Sequence, residues 1–499
     1  MMRLSQNVAL LSIASYDKLA SMTAHNIGTV SLVRHLGSWR GGARSRPAYL
    51  QLADALRLLI LDGRLPLGVR LPGERELASG LGLSRTTVTA AFAQLRDGGF
   101  VQSRQGSGVR TSLPSTATQG GSSAYAVEPQ GSIIDLTGAS LPASPAIHQA
   151  YIAALERLPA YLPSRGYDRV GLELLRTAIA EKYCRRGLQT SAAQIIVTSG
   201  ALHGLALLLR TVTSPGDRVV IDHPTFPHAI DAIQRAACRP LPVSLPGAGW
   251  DFEGIAAAFR QGAPRLAYLV PDFHNPTGRC MAPGVRAQLA RVAAETRTTL
   301  VFDETLGDLG IDLETPAPDA AAEAGIVRLG SMGKSFWGGL RIGWIRAEPA
   351  LISALVATRS SIDLGTPVLE QIAAAVLLES QPGMAERRET LRERRDALAM
   401  LVKHRLPDWK LEIPPGGLSI WAELPEPVST GIAATAERYG LSVAAGPRFG
   451  VNGAFERFIR LPFTQPVEVL ESAVDRLARA YDAVRPVDTT ASRDLSMLV

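Results

Sequence analysis

The chain has 499 residues, 46% of them hydrophobic and 20% charged; that length exceeds one ordinary domain, and that balance excludes a disordered or fibrous protein. Its three cysteines, Cys184, Cys238 and Cys280, have no paired spacing, which argues against a disulfide framework or zinc site and suits a reducing cytoplasm. No apolar run is long enough to span a bilayer as a helix. The net charge of +6 is unevenly placed: Arg34 to Arg110 holds twelve arginines against five acids, leaving −1 for everything else. A basic excess confined to one segment suits a phosphate-bearing partner, although an Arg-rich solvated surface has the same composition.

In chain order, residues 1–45 read as an N-terminal extension. Its short apolar run from Val8 to Ser15 lacks a cleavage site and is not expected to act as a leader. Residues 46–111 carry helical patterns, with Leu52, Leu56, Leu59 and Ile60 on one face between Tyr49 and Leu61. The run LPGERELASGLGLSRTTVTAAFAQLRDGGFV then predicts two helices broken at Gly80–Gly82. Ser84 serves as the N-cap of the second, and Gly98–Gly99 stop it. Residues 112–132, rich in Ser, Thr, Gly, Gln and Pro, cannot bury enough apolar surface to fold and read as a linker.

From 133 to 370, short strands alternate with helices: QIIVTSG, DRVVIDHP, RLAYLVPD, TTLVFDET, IVRLGS and RIGWIRA. Several are near-continuous apolar runs, as expected of a mostly parallel sheet covered by helices on both faces. From 371 to 486, a long charged helix (GMAERRETLRERRDALAMLVKH) precedes a strand-rich segment, which predicts a smaller α+β domain, and 487–499 form a tail. The expected fold class is α/β behind a separate helical head.

The head contains a helix, a tight turn and a second helix, the arrangement that lays a helix in a DNA major groove. Arg85, Thr86 and Thr87 open that helix; an arginine there can make the bidentate contact to guanine. The Ser84 and threonine hydroxyls and free backbone N–H groups at the same end can hold phosphate. Arg75 lies on the preceding helix, and Arg104, Gln105 and Gly106 form the tip of the following hairpin. Any one of these side chains alone is equally a solvated surface residue; their order carries the reading. With LP-x-ERELA, SRTTV and RQGSG in that order, Pro47 to Thr111 resembles the GntR family of bacterial winged helix-turn-helix regulators. The resemblance implies double-stranded DNA as a partner. Thr89 and Ala90 depart from it, standing on a helix face where relatives often carry another arginine.

Beyond the linker, the informative elements are spaced widely. In GSMGKSFWGGLRIGW, Lys334 follows Ser331 by three residues and precedes Arg341; Asp303 closes TTLVFD; Asn275 sits in HNPTG. Gly200 and Ala201, in TSGALHG, open a helix after a strand, so its N–H groups can face an anion. Phe226 lies in HPTFPH, Arg460 in FIRLPF and Tyr161 in YLPSRGY. A lysine among glycines is by itself a weak signal, and a lone phenylalanine is an ordinary core residue.

In this order, from about Asp135 to Tyr481, the elements resemble the aspartate aminotransferase fold family. That resemblance implies pyridoxal 5'-phosphate joined to Lys334 as a Schiff base. It implies Arg341, Ser331, Gly200 and Ala201 on the phosphate, Asp303 on the pyridine nitrogen, Asn275 on the phenolic oxygen and Phe226 on the ring. Arg460 would take the α-carboxylate of a substrate or effector, and Tyr161 would reach the phosphate of a neighbouring subunit. No metal site is expected, and His203, His223 and His274 read as structural.

With its head, the whole chain resembles the MocR-type regulators. This implies a cytoplasmic homodimer that binds an operator and senses an amino acid or amine, or pyridoxal phosphate itself. The alternative is an active aminotransferase carrying a DNA-binding head. Thr305 and Leu306 stand where relatives carry a tyrosine to the phenolic oxygen, a departure that weighs against rapid transamination.

Overall fold

The helical spacing of Leu52, Leu56, Leu59 and Ile60 is realised in a computed structural model of the chain. It describes residues 27–37, 39, 47–61, 65, 69–104, 108–112, 133–247, 249–319, 325–380 and 383–484. These residues fall into two compact units, Met1–Ala126 and Val127–Val499.

The first unit comprises α1 (Thr29–Leu36), α2 (Ala48–Leu61), α3 (Glu74–Leu81), α4 (Arg85–Asp97), β1 (Val101–Arg104) and β2 (Gly108–Thr111). Leu52 and Leu56 of α2 are fully buried and pack with Leu77 of α3 and Val88, Ala91 and Phe92 of α4. Gly82 ends α3 in the left-handed region (φ 63°), a conformation that glycine adopts without Cβ strain. Ser84 caps α4, its Oγ accepting from the Thr87 backbone N–H at 3.1 Å. Strands β1 and β2 pair antiparallel as a hairpin.

Residues 29–36, expected to belong to an extension, instead form a helix whose Leu32 and Leu36 enter the core of this unit. At eight residues, α1 is too short to announce itself by periodicity and depends on packing for its existence.

The second unit holds two sheets. The larger joins β4 (Ile195–Thr198), β5 (Arg218–His223), β6 (Arg239–Ser244), β7 (Leu266–Leu269), β8 (Thr299–Asp303), β9 (Val327–Ser331) and β10 (Gly343–Arg346). Their spatial order is β4-β10-β9-β8-β7-β5-β6, and β10 alone runs against the rest. Val219 and Ile221 of β5 enter one apolar cluster while Val220 enters another, so both faces are covered. That double burial explains the near-continuous apolar strands.

The smaller sheet orders β11 (Lys410–Leu411), β12 (Ser419–Glu423), β14 (Phe458–Pro462), β13 (Leu441–Ala445) and β3 (Ile134–Leu136). Two parts of the chain lie elsewhere than the expected division at 370 puts them. Strand β3 pairs in parallel with β13, so residues just after 132 join the C-terminal sheet. The helix Val368–Ser380 straddles 370 and packs its Ile372, Leu377 and Leu378 into a cluster with Leu175 and Ile195. Neither displacement has a local signature, because strand pairing and helix docking across hundreds of residues are tertiary choices.

If α1 is part of the head's core, Leu32→Ala should destabilise the head by about 2–5 kcal/mol. Chemical denaturation of the full-length protein checks this; an unchanged head transition would place residues 29–36 outside the core.

Candidate functional site

Because β4, β5, β7, β8 and β9 run the same way, their carboxyl ends share one edge of the sheet, where open α/β sheets bind ligands. Asp303 ends β8 and Ser331 ends β9; Lys334, Asn275, Phe226 and Gly200 follow the ends of β9, β7, β5 and β4. Eight residues expected in the cofactor site, Lys334, Asp303, Asn275, Arg341, Ser331, Gly200, Ala201 and Phe226, line one cavity of about 310 Å³. Tyr161 does not line it within this chain; it sits after a short turn of helix and packs partly buried on a neighbouring cluster.

Lys334 has lost most of its water, and that burial brings its amine down to about 8, helped by Arg460 and opposed by Asp303. Its Nζ donates to the Ala139 carbonyl at 2.5 Å. Asp303 is buried, and desolvation raises its pKa. Its Oδ2 accepts from the Tyr268 hydroxyl at 2.5 Å and its Oδ1 from the Thr305 backbone N–H at 2.9 Å. Tyr268 was not singled out by sequence reasoning. The available signal was a single hydroxyl in the otherwise aliphatic strand LAYL, since a buried tyrosine seeks a hydrogen-bond partner.

The next residue, Glu304, is also buried but pairs with Arg328, and with Arg186 at 3.5 Å. Burial works against its charge, yet those two arginines hold it at about 2. It also accepts from the Tyr183 hydroxyl at 3.1 Å. This pairing anchors the turn that carries Asp303, Thr305 and Leu306.

Gly200 opens the helix α5 (Ala201–Val212) at φ 94°. A Cβ on Gly200 would come within 2.7 Å of the Arg341 guanidinium, and one on Gly343 within 2.5 Å of the Gly200 backbone. Both glycines therefore leave room for an arginine to lie against a helix N-terminus, a combination suited to phosphate. Arg341 donates to the Ser199 carbonyl at 2.7 Å. The Ser331 Oγ accepts from the Gly333 N–H at 3.0 Å.

Arg460, on β14, is buried beside Asn275, with Nη1 3.4 Å from the amide oxygen. Nη2 donates to the Thr137 carbonyl, and the guanidinium lies 5.0 Å from the Phe449 ring centroid. Burial, then Arg448, lower its pKa to about 10. The three histidines have packing partners: His203 Nδ1 accepts from Ser199 N–H and His223 Nε2 from Val451 N–H, each at 3.0 Å. His274 Nδ1 lies 2.9 Å from the Thr277 hydroxyl.

In the head, Arg75, Ser84, Arg85 and Thr86 are exposed and Thr87 is partly so. The Arg85 side chain is 58% exposed and its Nε lies 3.5 Å from Glu74 Oε2. Thr89 also donates to that carboxylate oxygen, at 2.8 Å. Thr89, the departure noted above, thus helps hold the acid that orients Arg85. Arg104 ends β1, and Gln105 and Gly106 lie outside the described residues.

Residues 48–110 match the family described as bacterial regulatory proteins, gntR family, and residues 152–477 match aminotransferase class I and II. A winged helix-turn-helix and an aminotransferase fold in one chain define a DNA-binding transcription regulator of the MocR type. The chain belongs to the aminotransferase class I and II family, with a GntR head at its N-terminal side.

It is 27% identical over 441 residues to the uncharacterized HTH-type transcriptional regulator YdcR of Escherichia coli (strain K12), covering 83% of this chain and 94% of that one. It is 30% identical over 324 residues to aromatic-amino-acid aminotransferase 1 of Thermococcus litoralis, covering 62% and 77% of the two chains. Among solved structures it is similar to LysN, an alpha-aminoadipate aminotransferase of Thermus thermophilus complexed with N-(5'-phosphopyridoxyl)-L-leucine. The TM-score is 0.62 at 27% identity, over 70% of this chain and 92% of that one. Family and neighbour indicate pyridoxal phosphate as the cofactor. The cavity fits it, with a partly neutral lysine, a buried carboxylate and a glycine-lined helix start against an arginine.

Because the neutral amine is the nucleophile, Lys334 in cofactor-free protein should react with added pyridoxal phosphate about tenfold faster per pH unit below its pKa. The rate should level off above about pH 8. A rate independent of pH from 6 to 9 would contradict the desolvated environment of Lys334.

Proposed function

We propose that the aminotransferase-like unit senses an amino acid or amine through pyridoxal phosphate carried on Lys334, and that this changes how the head binds its operator. The observation that carries the reading is the convergence of Lys334, Asp303, Asn275 and Arg341 on one cavity, with Arg460 lining a second cavity that shares Lys334 and Asn275 with it. Pyridoxal phosphate supplies an aldehyde that combines with amines and a ring that withdraws electrons. Lys334 would hold it, Asp303, with its carboxylate fixed by Tyr268, would pair with the ring nitrogen, and Asn275 would bond the phenolic oxygen. Ser331, Arg341 and the start of α5, at Gly200 and Ala201, would hold the phosphate, and Phe226 would cover the ring. Arg460 binds the carboxylate of the effector.

Thr305 and Leu306 both line the cavity. A short hydroxyl and an isobutyl group leave the phenolic side of the ring without a tyrosine, which favours retention of a ligand over turnover. Arg75, Ser84, Arg85, Thr86, Thr87 and Arg104, with Gln105 and Gly106 after it in the chain, contact the DNA. Binding energy that differs between two arrangements of the protein links the two activities.

Exposed apolar side chains support a homodimer. Leu155, Leu162 and Tyr167, on and just beyond the helix Pro145–Arg157, are 55%, 68% and 72% exposed, apolar side chains on one segment that a partner subunit would cover. Tyr161 lies among them and would face the partner's site. A DNA-binding role and three free cysteines fit the cytoplasm.

Purified protein with pyridoxal phosphate should show a visible absorbance band that Lys334→Ala removes and that one or more amino acids shift. Arg85→Ala should keep the band but weaken operator binding by about 1–3 kcal/mol. Loss of neither property in its variant would overturn the corresponding assignment. Leu155→Asp should lower the sedimentation mass from dimer toward monomer; an unchanged mass would place the dimer contact elsewhere.

A further inference from the structure

A second cavity, or lobe, of about 190 Å³ shares Phe226, Asn275, Leu306 and Lys334 with the cofactor cavity and is lined on its own side by Arg460. Three cations line this lobe, Lys334, Arg448 and Arg460; among the described residues no aspartate or glutamate does. Their placement follows from the strands. Arg460 lies opposite Ala444 in the β13–β14 pair, and β13 leads directly into the turn Gly446–Phe449 that carries Arg448. Phe449, the next residue after Arg448, lies against the Arg460 guanidinium.

Like charges near each other repel, and desolvation adds to the cost for Arg460, which is buried, while Arg448 is exposed. The repulsion is felt here, since Arg448 is the largest influence after burial that lowers the pKa of Arg460. The acid that partly offsets it, Asp135, accepts from the Thr137 N–H and hydroxyl at 2.7 and 2.6 Å. His228, also on the wall, has its own carboxylate in Asp231 at 3.6 Å. The lobe thus presents two arginines and no lining carboxylate, so a ligand with one carboxylate meets one arginine and leaves the other to meet a second.

We propose that the effector is an α-amino acid bearing a second carboxylate on its side chain, with Arg460 taking the α-carboxylate and Arg448 the other. This rests on the reading that the site senses an amino acid. It adds that Arg448, which is exposed at the mouth of the lobe, selects among amino acids by charge. Arginine suits the task because its planar fork meets a carboxylate with two parallel N–H groups.

The test uses full-length protein loaded with pyridoxal phosphate, titrated with L-aspartate, L-glutamate and L-2-aminoadipate beside L-asparagine and L-glutamine. The visible band and isothermal titration calorimetry are the two readouts. At least one acidic amino acid should bind on the order of tenfold more tightly than its amide, the size expected of a charge-assisted pair. Arg448→Gln should remove that preference, and Arg448→Glu should reverse it.

Equal binding of acid and amide by the wild type overturns the proposal and leaves amino-acid sensing standing. A preference that survives Arg448→Gln overturns the role of Arg448. No response to any amino acid, with the Lys334-dependent band present, overturns sensing itself and this inference with it.

Discussion

An ammonium group that loses its water must find a carboxylate or give up its proton, and Lys334 sits where neither outcome is complete. Asp303 is near enough to support the charge, while burial and Arg460 oppose it, and the amine settles at about 8. Much of the body serves that balance. Strands β8 and β9 bring the aspartate and the lysine to the same edge, Tyr268 fixes one oxygen of the carboxylate, and the Glu304–Arg328 pair anchors the turn beneath it. Had Glu304 faced the cavity in place of Asp303, the longer acid would have been paired with arginines and lost to the lysine.

Six of the seven strands of the large sheet were legible because both their faces are buried, leaving apolar runs such as IIVT and LAYL with little interruption, whereas the edge strand β6, RPLPVS, is mostly uncovered and gave no such run. Lys334, Asn275, Phe226 and Gly200 follow strand ends, and Asp303 and Ser331 close strands, so motifs read one by one along the chain meet at one edge of the sheet. What could not be read was anything decided by distant packing. Strand β3 is three residues long, and its pairing with β13 crosses roughly three hundred positions. Tyr268 and Arg448 stand in this second group. Their chemical meaning depends on a neighbour that only the fold supplies, Asp303 for one and Arg460 for the other.

The head divides in the same way. Ser84, Gly82 and the leucines of α2 speak through local rules of capping and periodicity. Helix α1 does not, because eight residues outside a strong pattern form a helix only when a core is ready to receive Leu32 and Leu36. The pair Glu74–Arg85 is intermediate, close in sequence but brought together by the turn at Gly82. An acid beside an exposed arginine limits its wandering, so less side-chain entropy would be lost when the arginine meets a partner.

Strand β3 has a mechanical consequence. The polypeptide arriving from residue 132 is fastened to the edge of the small sheet at Ile134–Leu136. It then immediately offers the Thr137 carbonyl to Arg460 and the Ala139 carbonyl to Lys334. The two cations that face the cavities are thus held from one side by carbonyls only two residues apart, so a shift of that short stretch of main chain would reach both of them together.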